Sequence, residues 1–369
     1  MLTRTPIHSA VAGLALAFAG LAYAQPPGNE GAVQRAGAVQ LKDWKPKSSL
    51  AVPRTDIPKA RFPVIDVHSH SYASTPEQVA EWVRTMDEVG VEKTVVLTGA
   101  VGARFDALVE LYLKPYPERF VLFAGVLREG TGKPDYPQRA AAEVERCYRM
   151  GARGLGELSD KGTGFTRALS PSERLHPDDP RLDLFWKKAA ELNMPANIHM
   201  ADHPSAWEPP DHTQERPPGF QRFNQFDFNV PSHAGILAIR DRLLARHPGN
   251  KFIFCHLSNQ GHDLASLTKT MDAYPNLYLD MSARLYELGR QPRHAAKFLS
   301  RYKDRVLFGT DRGRAAVTYR IFWQVLESAD EYLPSQSWWM LYGLELPDET
   351  LRALYRENAL RILNWEPVR

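Results

Sequence analysis

From Pro63 onward the chain repeats one pattern eight times, a short and continuously apolar run followed by a longer amphipathic one. The runs are Val64 to Val67, Thr94 to Leu97, Phe120 to Val126, Arg153 to Leu158, Ala196 to Met200, Phe252 to His256, Leu277 to Met281 and Val306 to Gly309. An unbroken apolar strand must be covered on both faces, which is the condition of a strand in a parallel sheet under helices. Each interval between runs is long enough for a crossover helix. Eight such units predict an α/β fold, a single (β/α)8 TIM barrel, in preference to an open doubly wound sheet.

Local punctuation supports the alternation. Thr75-Pro76-Glu77-Gln78 offers a helix N-cap, a proline at the first helical position and a capping-box Gln. Val79, Trp82, Val83 and Met86 then form one apolar stripe, and Gly90 supplies a C-terminal stop. A second helix ahead of the sixth run carries Leu237 and Leu244 and ends at Pro248-Gly249. The last helix begins at Pro347-Asp348-Glu349, with Leu351, Leu354, Tyr355 and Ile362 on one side.

Outside the repeat, Met1 to Ser9 carries the single cation Arg4, and Ala10 to Ala24 is an apolar run of 15 residues. That is shorter than the roughly 20 residues of a membrane span. It closes on Ala22-Tyr23-Ala24, a small-x-small cleavage pattern. Residues 1–24 are therefore expected to be a signal peptide cut after Ala24, leaving a secreted or periplasmic protein with no membrane anchor. Residues 25–62, rich in Pro, Gly, Lys and Gln, predict an extended arm, and residues 63–369 the barrel domain. The proline-rich stretch from His203 to His233 predicts a lid over the barrel mouth. Lys and Arg number 46 against 43 Asp and Glu, and no basic stripe is present, which argues against a nucleic-acid partner. The expected partner is a small-molecule substrate, and a homo-oligomer is compatible with the sequence. Cys147 and Cys255 are too few for a disulfide framework and are expected to be separate thiols.

Barrel enzymes carry their chemistry at the C-terminal ends of the strands. There the first run ends in Asp66-Val67-His68-Ser69-His70, and a period of two turns His68 and His70 to the same side. The fourth run delivers Glu157, the fifth His199, the sixth His256, and the eighth Asp311. Taken singly, each is as well explained by an ordinary hydrogen-bonded role. Four imidazoles and two carboxylates gathered in one barrel mouth are another matter, since buried charge needs compensation and a divalent cation supplies it.

The set His-x-His, Glu, His, His and Asp on those strands resembles the amidohydrolase superfamily. Val64-Ile65-Asp66-Val67-His68-Ser69-His70, Gly154-Leu155-Gly156-Glu157-Leu158, Phe308-Gly309-Thr310-Asp311 and Glu357-Asn358-Ala359 are similar to its amidohydrolase-related branch, over about residues 62–365. That branch holds metal-dependent hydrolases, lactonases and non-oxidative decarboxylases. The resemblance implies His68, His70, His199 and Asp311 as metal ligands. Where a carboxylate bridges two ions, Glu157 is implied as the bridge and His256 as a ligand to the second; in members with one ion the strand-six His contacts substrate instead. The expected cofactor is one or two divalent ions, Zn2+ foremost.

Hydrolysis of a small amide, lactone or ester is the leading expectation, with Asp311 and His256 as catalytic residues and Asp311 taking the proton of an activated water. The alternative is non-oxidative decarboxylation of an aromatic or unsaturated acid. Arg284, Arg312 and Arg314 follow the seventh and eighth runs and are candidates to hold its anion. Tyr72, Trp207 and His203 are further candidates for substrate contact, with His212, His233 and Tyr286 beside them in the loops. Trp338, Trp339 and Tyr342 are expected to pack a late helix or form a subunit contact.

Overall fold

The computed structural model describes residues 40–168, 170–215, 224–226, 228–335 and 339–363. The signal-peptide reading of residues 1–24, residues 25–39 of the arm, Pro217, Pro218 and Trp338 lie outside the described residues. The chain divides into two compact units, Met1–Ala51 and Val52–Arg369. In the first, the described residues form a single 3-10 turn, Leu41–Asp43, followed by extended chain.

The second unit is the eight-stranded parallel barrel that the sequence pattern predicts. Its strands are β1 (Val64–Ser69), β2 (Val91–Leu97), β3 (Phe120–Ala124), β4 (Gly154–Asp160), β5 (Ala196–Met200), β6 (Phe252–Phe254), β7 (Leu277–Asp280) and β8 (Val306–Leu307), hydrogen-bonded in chain order. A helix follows each one: α1 (Pro76–Val89), α2 (Gly102–Leu108), α3 (Tyr136–Arg149), α4 (Asp183–Glu191), α5 (His233–Arg246), α6 (Leu264–Ala273), α7 (Pro292–Arg301) and α8 (Ala316–Glu327). The cylinder closes where Val67 N–H donates to Phe308 O at 2.9 Å and Asp311 N–H donates to His68 O at 2.9 Å. Gly309 is required at that seam, because a Cβ there would lie 2.8 Å from the Cβ of His68.

Alternation of side chains explains the two apolar layers. Ile65, Val67, Val95, Leu97, Val121, Phe123, Ile253 and Leu307 fill the barrel interior, and Ala359, Ile362 and Leu363 of the last helix join them. The outward faces of the strands pack on the helix stripes, as Val79, Trp82 and Met86 of α1 do. Thr75 caps α1 and Gly90 ends it in a left-handed turn at φ 90°, as the punctuation predicts. The Gln78 side chain, however, accepts from Ser74 N–H rather than closing the box on Thr75.

Three boundaries differ from the expected ones. The compact unit begins at Val52 rather than Pro63, because the Arg54 guanidinium donates to Glu331 O and Tyr332 O, Thr55 is bound by Asp330, and Ala60 N–H donates to Val89 O. The sixth strand stops at Phe254, and His256, Leu257, Ser258 and Asn259 all take positive φ between 52° and 58°. The last helix is split by a widened turn over Ala353–Glu357, where the Leu354 carbonyl accepts from Phe308 N–H. Among the described residues no helix is long and apolar enough to cross a membrane.

Candidate metal centre

The six predicted donors meet at the C-terminal mouth of the barrel. His68 is fully buried at the end of β1; its Nδ1–H donates to Asp280 Oδ2 at 2.9 Å, and its Nε2 faces Asp311 Oδ1 at 3.8 Å. His70, one pleat on, donates from Nδ1 to Leu97 O at 3.2 Å and turns Nε2 towards Asp311 Oδ1 at 3.2 Å and Glu157 Oε2 at 3.4 Å. Glu157, in β4, accepts from His199 Nδ1 at 2.6 Å. His256 donates from Nδ1 to Ser282 O at 2.9 Å, so its Nε2 lone pair faces Glu157 Oε1 at 3.9 Å and Asp311 Oδ2 at 3.8 Å.

The left-handed turn after β6 brings His256 to that position. Four successive non-glycine residues with positive φ cost roughly 1–2 kcal/mol each, so the surroundings must over-determine them. Asp280 Oδ1 accepts from His256 N–H at 3.1 Å, and Arg284 Nε donates to His256 O at 3.2 Å. Asn259 donates to Met200 O and Ala201 O, and buried Arg240 donates to Ser258 Oγ.

Electrostatics make the pocket a cation trap. Burial disfavours ionisation of Glu157 and Asp311, yet the surrounding imidazoles outweigh it and hold both carboxyls below the usual carboxylate range. Burial likewise opposes charge on His68, but Asp280, Asp311 and Glu157 lift it to about 10. Burial, reinforced by His199, Arg284 and His68, pushes His256 down to about 3 and keeps that ring neutral. Behind β1, burial raises Asp66 to about 6 although Thr310 and the His68 N–H bond it.

A cation fits these residues. His68 Nε2 is buried with no hydrogen-bond partner among the described residues and faces the Asp311 carboxylate at 3.8 Å, where a cation could take the place of its proton. The field that draws a proton onto His68 would draw a metal equally well. Two adjoining donor groups satisfy metal-ligand spacing, His68 with His70 and Asp311, and Glu157 with His199, Cys255 and His256, and a third, His68 with Cys255 and Asp280, overlaps both.

The other candidates are distributed unevenly. Tyr72 is at the centre, donating to Asp311 Oδ1 at 3.3 Å, and burial and that carboxylate keep its phenol protonated. Arg284 lies beneath the site rather than in it, its donors directed at His256 O, Ala283 O and Asn259 Oδ1. Arg312 is exposed and lines a cavity of about 240 Å³ with Leu285, Tyr286, Thr318 and Ile321. Arg314 is directed away from the mouth, to Glu81 and Gln78 O. In the expected lid, Trp207 donates to Pro231 O at 2.9 Å and stacks edge-on with His233. His203 bonds Ser205 and lies against His262, and His212 is exposed. Trp339 lies under the Arg290 guanidinium, and Tyr342 N–H donates to Gly289 O. The two cysteines are separate buried thiols, as expected.

Sequence reasoning missed Asp280, Asn197 and Ser282. Asp280 is fully buried and accepts from His68 Nδ1, Asn197 Nδ2, His256 N, Ser282 N and Ser282 Oγ. A lone acid within the apolar run Leu277 to Met281 was the available signal.

Beneath Arg284, Glu287 is buried, and that burial pushes its carboxyl up to about 7 against the pull of the guanidinium 3.5 Å away. A raised carboxyl pKa means that the folded state holds a proton which the unfolded chain releases above about 4.5, so stability falls as pH rises to about 7 and stays lower beyond it. Glu287→Gln is therefore expected to be more stable than wild type at pH 8 by about 2–3 kcal/mol, and no more stable at pH 4. Urea midpoints at the two pH values check this; a difference independent of pH would rule it out.

The barrel is shared with solved structures of low sequence identity. A Staphylococcus aureus protein assigned to the amidohydrolases aligns with a TM-score of 0.53 at 16% identity, covering 82% of this chain and 100% of its own. A TIM-barrel protein from Bordetella bronchiseptica, Bb4693, gives 0.50 at 15% identity, covering 82% and 99%. The 5-carboxyvanillate decarboxylase of Novosphingobium aromaticivorans, solved with manganese and 4-hydroxy-3-methoxy-5-nitrobenzoic acid, gives 0.52 at 14% identity, covering 85% and 100%. No curated protein sequence matches the chain. With a sequence-model match that runs through all eight strands, from residue 51 to residue 365, the chain belongs to the amidohydrolase family.

Proposed function

We propose that this protein is a metal-dependent hydrolase that opens an amide, lactone or ester of a small molecule. One observation carries the reading: the two donor groups adjoin through Glu157, whose Oε2 lies 3.4 Å from His70 Nε2 and whose Oε1 lies 2.6 Å from His199 Nδ1. By the family resemblance His68, His70, His199 and Asp311 would hold one divalent ion; by donor spacing His68, His70 and Asp311 would hold one, and Glu157 with His199 and His256 a second. When bound, such an ion, Zn2+ foremost, supplies Lewis acidity that polarises a carbonyl and acidifies water.

The rest of the chemistry falls to the chain. Asp311, ionised among imidazoles, is the acceptor for the water proton and its donor to the leaving group. Tyr72 steadies Asp311 through Oδ1 and leaves Oδ2 directed towards His256. The neutral His256 ring, locked by Ser282, presents a lone pair to the same space. The described lid segments bound to Ser205 and Pro231 would limit access of bulk water.

Decarboxylation of an aromatic acid is the second reading, favoured by the fold likeness to the manganese-containing decarboxylase. Against it, Arg284 and Arg314 are directed at acceptors within the protein. Residues 1–24 of the sequence support a site of action outside the cytoplasm.

The test has two arms. Elemental analysis of the purified chain counts and identifies the ion, and a panel of lactones, amides and aromatic acids is scored for acid release against carbon dioxide release. Glu157→Gln is expected to lower the metal content from two ions to one if the carboxylate bridges, and to leave it at one otherwise. A metal-free protein that fails to take up Zn2+ or Mn2+ would overturn both readings; carbon dioxide release alone would overturn hydrolysis.

A further inference from the structure

Cys255 is fully buried, yet its surroundings are not those of a filler residue. Buried thiols ordinarily pack as small apolar groups. Here Sγ lies 3.6 Å from Glu157 Oε1 and 3.4 Å from Ile198 O, at the floor of the donor cluster. One donor atom from each of Glu157, His199, Cys255 and His256 lies within 4.8 Å of the other three. Tetrahedral Zn2+ with bonds of about 2.0–2.3 Å has donor-to-donor edges of about 3.3–3.8 Å. The Glu157 contacts to Cys255 Sγ at 3.6 Å and to His256 Nε2 at 3.9 Å come close to those edges.

We propose that Cys255 is itself a metal ligand, completing with Glu157, His199 and His256 a thiolate-containing site selective for zinc-like ions. The proposal rests on the metal-dependent reading above and goes past it, since that reading uses no sulfur. The His199 ring supplies a second observation. Its Nε2 is buried with no hydrogen-bond partner among the described residues and stands 3.7 Å from Asp202 Oδ1. Moving the ring proton from Nδ1 to Nε2 gives that nitrogen an acceptor to face and frees the Nδ1 lone pair towards Glu157. The His199 to Glu157 contact of 2.6 Å, shorter than a tetrahedral edge, then opens as both atoms turn to the ion.

Binding breaks the Cys255 S–H bond and forms a sulfur–metal bond, with the proton released to solvent and no change of oxidation state. Thiolate is a soft ligand that favours Zn2+ over Mn2+, whereas a purely imidazole and carboxylate set discriminates less. The second ion site would thus differ in preference from the His68, His70 and Asp311 group, which offers only nitrogen and oxygen.

Cobalt substitution tests this on the intact chain. The purified protein is stripped with a chelator and titrated with Co2+, and the near-ultraviolet absorbance is followed for thiolate-to-cobalt charge transfer. The wild type is expected to develop that band as cobalt fills the Cys255 site, and Cys147→Ser to keep it. Cys255→Ser is expected to bind cobalt without the band and to lose about tenfold or more of its preference for Zn2+ over Mn2+ in competition. Cobalt uptake by the wild type with no thiolate band overturns the ligand role and leaves the metal-dependent reading standing. Failure to take up cobalt overturns both. The decisive arm is the wild type, so an unstable variant does not blunt the test.

Discussion

Replacing Asp280 by alanine is expected to weaken metal binding about 10–100-fold and to cost about 3–5 kcal/mol of folding stability. The residue is fully buried and is the acceptor for five donors, among them His68 Nδ1 at 2.9 Å, Asn197 Nδ2 at 2.8 Å and His256 N at 3.1 Å. A buried donor left without a partner costs about 1–3 kcal/mol, and several share this one acceptor, so the losses will not add in full. The affinity falls because His68 is no longer fixed with Nδ1 protonated and Nε2 turned to the site. Asp280→Asn keeps one acceptor for His68 but sets an amide nitrogen against other N–H groups, and an intermediate result is expected. Urea unfolding and competitive chelator titration measure the two effects; a folded alanine variant with unchanged affinity would sink the assignment.

The pair also fixes the sign of the pH dependence when protein groups alone are present. His68 is raised from 6.5 to about 10, so its contribution is complete below about 6.5 and is lost as pH rises through about 10. Asp280 is depressed below its ordinary 3.8 by His68, against its own burial, so its contribution is present above that value and is lost in acid.

Asp311→Asn is expected to lower turnover about 10²–10⁴-fold while leaving most of the metal in place. The amide keeps an oxygen for an ion and for Tyr72, and the proposed ligands His68, His70 and His199 are unchanged, but it accepts no proton at neutral pH. Metal content and steady-state rate on the substrate class found in the panel are the two readouts. Loss of both would make Asp311 a ligand first; loss of neither would remove it from the chemistry.

The barrel was legible because each strand is continuously apolar and each helix punctuated, as Thr75-Pro76 and Gly90 show for α1. All eight strands were found, with ends displaced where tertiary contacts take over from pattern, as at the turn from His256 to Asn259. The six donors were legible because strand ends can be located from periodicity. What could not be read was the layer that orients them. Asp280, Asn197 and Ser282 are recognised only by the bonds they make across β5, β6 and β7, and pairing between strands has no one-dimensional signature. The roles of Arg284 and Arg314 were hidden for the same reason: a loop arginine gives no sign of which acceptor it will find.

The closure between β8 and β1 has a consequence for how the protein holds together. Its two hydrogen bonds join Val67 to Phe308 and His68 to Asp311, and the side chains of the second pair also face the cation trap. An ion gripped by His68 and Asp311 would act as a clasp across that join. Emptying it would remove that clasp, and cohesion and chemistry would then rise and fall together.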